Sequence, residues 1–389
     1  MLILSEQGNQ CLAPAQVRRQ LQGYFIRTGL ENLRLYSRVA PLLQALWEQS
    51  IGAIVLKGVF LAHTVYTKPA LRSMGDADIL VRPQDLQRVT RLLYAQGWHQ
   101  SQHIETEPSR LSGHQLAVFA LDSTNVDIHW SIEDDGSPFL IDSDGLWERA
   151  SDFRVGDVRA LALSPEDLIL HLCLHTAYSH GWLQFIGRLR AIYDIAATAS
   201  HYVGRIDWNV LVQRATTWGI SNCAWLALSL ARDLLRGPIP ERTIELLAPQ
   251  DCDDRVVDTA VHLTLNDHYA TLDNALPTLS RPWRTRRWYD LSAAARWRRL
   301  LLPDQNSVAR AYPSLGAAAL APLRYLAYWA DLARDGVRVS FASDCRALLS
   351  RERARMALGA WLEASARGPS ILDDASLSTI SHRHERLSS

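Results

Sequence analysis

Apolar residues recur three and four positions apart near the start of the chain, in Ala15–Gln22 and again in Leu30–Trp47. Leu33, Leu35, Val39, Leu42, Leu43 and Leu46 fall on one face of the second run, and this spacing predicts helices across residues 1–50. The pattern then changes. Residues 52–57 form a short apolar run that reads as a buried strand, closed by Gly58, and Val59–Tyr66 reads as helical up to Pro69. Asp76–Val81 alternates acidic and apolar positions before becoming wholly apolar, which predicts a strand. Arg82-Pro-Gln-Asp opens a helix with Leu86, Val89, Leu92 and Leu93 on its buried face and Gly97 at its stop. Gln115–Leu121 and Thr124–Trp130 read as two strands joined by turn residues at Asp122 and Ser123, hence a hairpin.

Beyond about residue 160 the helical period takes over. Ser164-Pro-Glu-Asp carries a capping residue, a proline at the first helical position and early acids. Helices are predicted at about 165–180, 183–199, 207–218, 221–236, 253–266, 291–301, 316–333 and 349–366, with a proline-containing connection at 267–289. The reading is α+β, a mixed sheet with helices followed by a mainly helical region. It divides into an N-terminal helical segment 1–50, a core 51–160, a helical domain 161–367 and a polar, Ser-rich tail 368–389 that is expected to be disordered.

Composition narrows the class. The chain has 389 residues, 48% hydrophobic and 21% charged, the balance of a globular protein with room for more than one domain. Net charge is zero, so no global field gathers nucleic acid or anionic membrane. Cys11, Cys173, Cys223, Cys252 and Cys345 are scattered without a Cys-x-x-Cys pair, which suits reduced thiols and a cytoplasmic location. The first residues lack a basic segment and a long apolar run, so no signal peptide is expected. The most apolar stretch, 315–330, is interrupted by Pro322 and Arg324, so no membrane span is expected. Thirteen tryptophans suit a Trp-rich helical core.

The chemistry concentrates in three carboxylates. Asp76 and Asp78 stand two apart in Leu71-Arg-Ser-Met-Gly-Asp-Ala-Asp-Ile-Leu-Val81 and share one face of their strand. Asp127 follows in Asn125-Val-Asp-Ile-His-Trp130, flanked by apolar residues. Clustered carboxylates repel unless a cation joins them, and oxygen-only sites suit Mg²⁺ or Mn²⁺. Upstream, Ile54-Val-Leu-Lys-Gly58 ends a strand in a glycine turn that opens a helix, where free backbone N–H groups suit a phosphate. An isolated Asp-x-Asp is usually a solvated turn; the glycine turn before it and the apolar-Asp-apolar strand after it favour chemistry.

Val55–Gly58, Arg72–Val81 and Val126–Trp130 together resemble the bacterial uncharacterised nucleotidyltransferase family, part of the polymerase-β-like superfamily. The close resemblance covers roughly residues 50–135, and a looser helical one runs to about 335. It implies a nucleotidyltransferase-type core, a Mg²⁺ (or Mn²⁺) requirement, an NTP donor, ATP among the possible ones, and an unidentified acceptor hydroxyl or phosphate. It implies that Asp76 and Asp78 hold both metals of a two-metal site, with Asp127 as third ligand and base. It places Gly58 against the triphosphate, with Lys57 and Arg72 on the nucleotide side and His129, His175 and Asp194 towards the acceptor. Small-molecule or peptide acceptors are favoured over nucleic acid by the zero net charge. The chain departs from the superfamily where Val59 follows Gly58, since many members have serine there. A non-catalytic module of the same fold, serving a partner protein, is the rival reading.

Other features have two readings each. Arg72 binds phosphate or pairs with an acid, and His129 reaches the acceptor or is a buried, hydrogen-bonded histidine. Arg190 and Asp194 form a solvated i,i+4 pair, opposite Phe185 and Leu189, or face a cleft. His171, His175 and His180 have zinc-like spacing without the glutamate of a His-Glu-x-x-His motif, because Leu172 occupies that position. The basic, aromatic run Arg281–Tyr289 with Arg296-Trp-Arg-Arg299 either stacks on bases or packs tryptophans beneath snorkelling arginines.

Overall fold

The computed structural model describes residues 14–100, 114–116, 118–133, 137–178, 189–249, 254–265, 276, 278–279, 292–305, 308, 311–312 and 321–367. Within these, the short apolar runs pair into a seven-stranded sheet. Its strands are β1 (Ala53–Val55), β2 (Asp76–Val81), β3 (His99–Gln100), β4 (Phe119–Leu121), β5 (Thr124–His129), β6 (Ser151–Val155) and β7 (Val158–Ala162). The order across the sheet is β3-β4-β5-β2-β1-β7-β6. β1 runs antiparallel to β2, and β2 runs parallel to β5, so the sheet is mixed. The predicted hairpin is β4–β5, and Asp122 turns it with φ at 54°. An Asp tolerates that left-handed conformation better than most residues. The β6–β7 hairpin follows the same pattern around Gly156, at φ 61°. Neither strand was expected from the sequence, because polar residues such as Asp152 and Arg154 dilute their alternation.

The N-terminal pattern becomes one helix, α1 (Ala15–Glu48), rather than two. Its buried stripe is Asn32, Leu35, Val39, Leu42, Leu43 and Leu46, and the expected Leu33 lies outside it, 65% exposed. Asn32 takes the inner position because its amide donates to the carbonyls of Pro69 (2.8 Å) and Arg72 (2.9 Å). α1 packs against β7, β5 and the helix α3 (Leu86–Ala95), which closes at Gly97 with φ 84°. The strand–turn–helix unit is also present. β1 passes through Leu56 into α2 (Lys57–Phe60), which continues as a π-helical turn, Leu61–Val65.

After α4 (Ser143–Glu148) and the β6–β7 hairpin, the chain is helical. α5 (Pro165–Tyr178) starts at the predicted cap: the Asp167 backbone N–H donates to Ser164 Oγ at 3.3 Å. α5 is apolar almost all round and packs against α6 (Leu189–His201), α7 (Trp208–Thr217) and α8 (Ser221–Leu235). A helix apolar on every side must be covered on every side. α9 (Glu241–Leu247), which was not expected, packs on α7 and α8, and α10 (Asp254–Leu265) packs on a later helix, α13. α11 (Ala293–Leu301), α12 (Ala321–Phe341) and α13 (Ser343–Ala364) complete the helical region. α13 reaches back to α8 and α5: Asn222 donates to the Trp361 carbonyl at 2.7 Å, and Ser365 to the Gly219 carbonyl at 2.7 Å. One hydrophobic cluster runs from Leu35 on α1 through the sheet to Leu362 on α13. No helix among the described residues is long and apolar enough to cross a membrane. Phe185, His180, Arg281–Tyr289, the 267–289 connection and the tail from 368 lie outside or almost entirely outside the described residues.

Candidate functional site

β2 and β5 lie side by side in parallel, and their register places Asp76 beside Asn125 and Asp78 beside Asp127. The apolar neighbours Ala77, Ile79, Val126 and Ile128 are fully buried on the opposite face. That alternation holds the three acids on one side of the sheet. Asp76 is exposed as a residue, Asp127 is half-buried and Asp78 is 7% exposed. On the other side of β2, β1 delivers its turn to the same place: the Leu56 N–H donates to the Asp78 carbonyl at 3.0 Å, and Lys57 follows.

Lys57 turns inward. Its ammonium meets Asp78 Oδ1 at 2.8 Å, and His129 Nε2 lies 2.8 Å from the same oxygen. Burial alone would push the Asp78 carboxyl up, but the Lys57 charge and the His129 hydrogen bond outweigh it and hold Asp78 well below the usual carboxylate range. Burial lowers the His129 pKa despite the opposing pull of Asp78, so the imidazole is neutral at pH 7 and its Nε2–H donates to Asp78. His129 stacks on His114 with ring centres 5.3 Å apart.

Asp127 has the opposite character. Its Oδ1 is buried without a hydrogen-bond partner. Burial, then the charges of Asp78 and Asp76, push its pKa up to about 7. Asp76 is shifted in the same direction: although the residue keeps solvent contact, the protein crowds its carboxyl, and the Asp78 charge adds to that. Ligand atoms of Asp78, Asp127 and His129 all lie within 4.8 Å of one another. Of the acids expected to bind metal, Asp78 and Asp127 therefore stand in that tight group with His129, and Asp76 stands beside it.

The Gly58 turn is close-packed. A Cβ at Gly58 would lie 3.3 Å from Met74 Cγ and 3.9 Å from the Arg72 guanidinium, so the loop before β2 covers the turn. Arg72 takes the acid-pairing alternative. Its Nε donates to Asp194 at 2.9 and 3.1 Å, and a terminal nitrogen adds a contact at 2.9 Å. Tyr66 also donates to Asp194, at 2.6 Å. Burial and the Asp194 charge raise the Tyr66 pKa. Asp194 is 2% exposed with both oxygens engaged, so it anchors the Arg72 loop instead of facing an open acceptor space. Arg190 does not form the expected i,i+4 hydrogen bond: it donates to Ser73 Oγ at 2.9 Å, and burial and Arg72 lower its pKa.

His171 and His175 face each other with ring centres 6.1 Å apart. His171 is buried with neither ring nitrogen hydrogen-bonded, and burial pushes its pKa down to about 3. The two do not belong to any metal-holding group among the described residues. A groove of about 810 Å³ lies elsewhere, lined by Trp297, Leu300, Leu301, Trp329, Leu332 and Val339 among others, all apolar. Its lining has no acid, base or nucleophile. Tyr66 lies outside the motifs, and Ser73, although inside the Arg72–Val81 run, has no local pattern that announces its contact with Arg190 on a distant helix.

A mixed α+β sheet that aligns acids on neighbouring strands beside a glycine turn is the arrangement which the sequence resemblance anticipated. The chain belongs to the uncharacterised nucleotidyltransferase family, whose model matches residues 3–236. No curated protein matches it.

Proposed function

We propose that the protein transfers a nucleoside monophosphate from an NTP to a hydroxyl or phosphate oxygen of an acceptor, with pyrophosphate as the other product. The register of Asp78 with Asp127 on parallel strands, next to the Gly58 turn, carries this reading. A divalent cation fits the residues present. Asp127 Oδ1 is buried and partnerless, its carboxyl pKa is raised by burial and then by neighbouring negative charge, and oxygen donors dominate the cluster. Asp78 and Asp127 would hold the ion, with Asp76 completing the oxygen set. Mg²⁺ or Mn²⁺ bound there would supply charge for the triphosphate and for the attacking oxygen.

The chain's own groups divide the remaining work. Gly58, lacking a side chain, lets Met74 of the loop before β2 pack closely over the turn, and the donor phosphates would lie beside that loop, towards Lys57. Lys57 contributes charge in place of the serine found in many relatives. Asp127, whose carboxylate the bound cation would keep ionised, would take the proton from the acceptor hydroxyl. Arg72, fixed by Asp194 and Tyr66, shapes the loop that presents Asp76. His129 orients Asp78, and His175 remains on the acceptor side. A small molecule or peptide suits a site with no broad positive field around it.

One observation favours the non-catalytic reading: Lys57 already neutralises Asp78, and His129 hydrogen-bonds the same oxygen, without a metal. Incubation with α-labelled ATP, GTP, CTP and UTP, Mg²⁺ or Mn²⁺ and a cell extract separates the two. Label moving into a product with the native protein, but not with an Asp76→Ala/Asp78→Ala variant, supports transfer. Metal-dependent nucleotide binding without transfer supports the binding module.

A further inference from the structure

Three carboxylates, Asp76, Asp78 and Asp127, bring three negative charges to one face of the sheet, and Lys57 brings one positive charge among them. Its ammonium lies 2.8 Å from Asp78 Oδ1, with the side chain 13% exposed. With all three carboxylates ionised, as ligands to a cation must be, the net charge of this set is about −2, which one divalent cation balances and two would overshoot. Of the two guanidiniums that also act on Asp76, Arg72 is paired with Asp194, and Arg190 lies on the exposed side, donating to Ser73, so Lys57 is the cation in contact with the carboxylates.

The backbone puts Lys57 there at a cost. Its φ is 37°, in the left-handed region that side chains other than Gly, Asn and Asp seldom adopt. A glycine would meet that geometry without strain, and one stands at the next position. A strained lysine persists where its side chain earns its place. Here the turn aims the ammonium at the one oxygen that also accepts from His129. Asp78 Oδ1 is thereby saturated, and Asp78 Oδ2 and the partnerless Asp127 Oδ1 remain for a cation.

We propose that Lys57 is a resident cation of the carboxylate cluster, occupying the place of one divalent ion, so that the nucleotide-free protein binds a single divalent cation and Lys57 competes with any second. This rests on the nucleotidyl-transfer reading and deepens it. The site works with one protein-held ion and a fixed ammonium, and that ammonium comes from the residue before Gly58 while an apolar Val59 follows it.

Mn²⁺ binding to the nucleotide-free protein tests it, followed by electron paramagnetic resonance and by calorimetry. The native protein is expected to bind one Mn²⁺ per chain. Lys57→Met is expected to bind Mn²⁺ at least tenfold more tightly or to gain a second site, and Lys57→Arg, which keeps the charge, to resemble the native protein. A thermal melt of each variant establishes that it is folded, and the native stoichiometry is informative even if Lys57→Met is not. Two Mn²⁺ sites in the native protein overturn the proposal, as does unchanged or weaker binding by folded Lys57→Met, or no Mn²⁺ binding by the native protein. None of these results depends on turnover. Nucleotidyl transfer by a protein that holds two ions would refute the resident cation and leave the reaction standing; one bound ion without transfer would do the reverse.

Discussion

Asp127 and Asp78 face each other across two strands, yet their protonation differs because Asp78 pairs with the Lys57 ammonium and accepts from His129, whereas Asp127 is buried beside negative charge with no hydrogen bond to Oδ1. Asp127 is raised from 3.8 to about 7, so the folded protein keeps a proton there that the unfolded chain has released. Its contribution therefore lowers the stability of the metal-free protein as pH rises from about 4 to 7 and is fully unfavourable above that window. Asp127→Asn is expected to raise the melting temperature of metal-free protein at pH 8 by ~2–4 °C, for a gain of about 1 kcal/mol, and to leave it almost unchanged at pH 4. Melting curves at the two pH values check this. The same variant is expected to lower transfer by ~10²–10⁴-fold, as for loss of a general base, measured by initial rates at saturating donor. The three acids and Gly58 were legible in the sequence because strand alternation and turn chemistry are local. The inward turn of Lys57 was not, since a side chain's direction at positive φ depends on what packs beside it. Asn32 in the α1 stripe was hidden for the same reason: its partners are carbonyls some forty residues away.

The loop between the π-helical turn and β2 is held from two elements, by Asn32 of α1 and by Asp194 and Arg190 of α6, with Asp194 accepting from both Tyr66 and Arg72 of the loop. The Arg72–Asp194 pair is buried on both sides, with side chains 9% and 3% exposed. Breaking such a pair strands a charge away from water. Asp194→Asn is expected to cost about 3–5 kcal/mol in urea unfolding, against the few tenths of a kcal/mol of a solvated helix pair. A loss below about 1 kcal/mol would show that the pair does not anchor the loop. The α7–α8 turn offers a second case. Gly219 has φ 72°, and a Cβ there would lie 2.8 Å from the Ala366 Cα beyond α13. Gly219→Ala is expected to destabilise by about 2 kcal/mol or more, through both strain and displaced backbone, and denaturant unfolding measures it. Helices α5 to α8 were readable from their period and caps. α9 and the β6–β7 hairpin were not, being short segments whose burial comes from distant neighbours.

At the scale of the molecule, a sheet bearing the acids and a set of helices share one hydrophobic cluster that extends past the family-matched residues to α13. α13 covers α8 through Trp225 against Trp361 and through the Asn222 bond to the Trp361 carbonyl. A chain ending at residue 236 would expose that face. It is expected to melt lower than the full chain and to self-associate, as read by thermal melting and size-exclusion chromatography; equal melting would show that the helices beyond are dispensable. The sequence made the α+β class and the helical second half readable, because period and composition are summed over many residues. It did not reveal that α1 belongs to the sheet's packing, because one amphipathic stripe fits many partners. Nucleotidyl transfer, as proposed, requires attack at the α-phosphorus of an NTP. Parallel reactions with α-labelled and γ-labelled donor test this. α-Label is expected in the acceptor product and γ-label in released pyrophosphate. γ-label in the product would mean phosphoryl transfer and contradict the proposal.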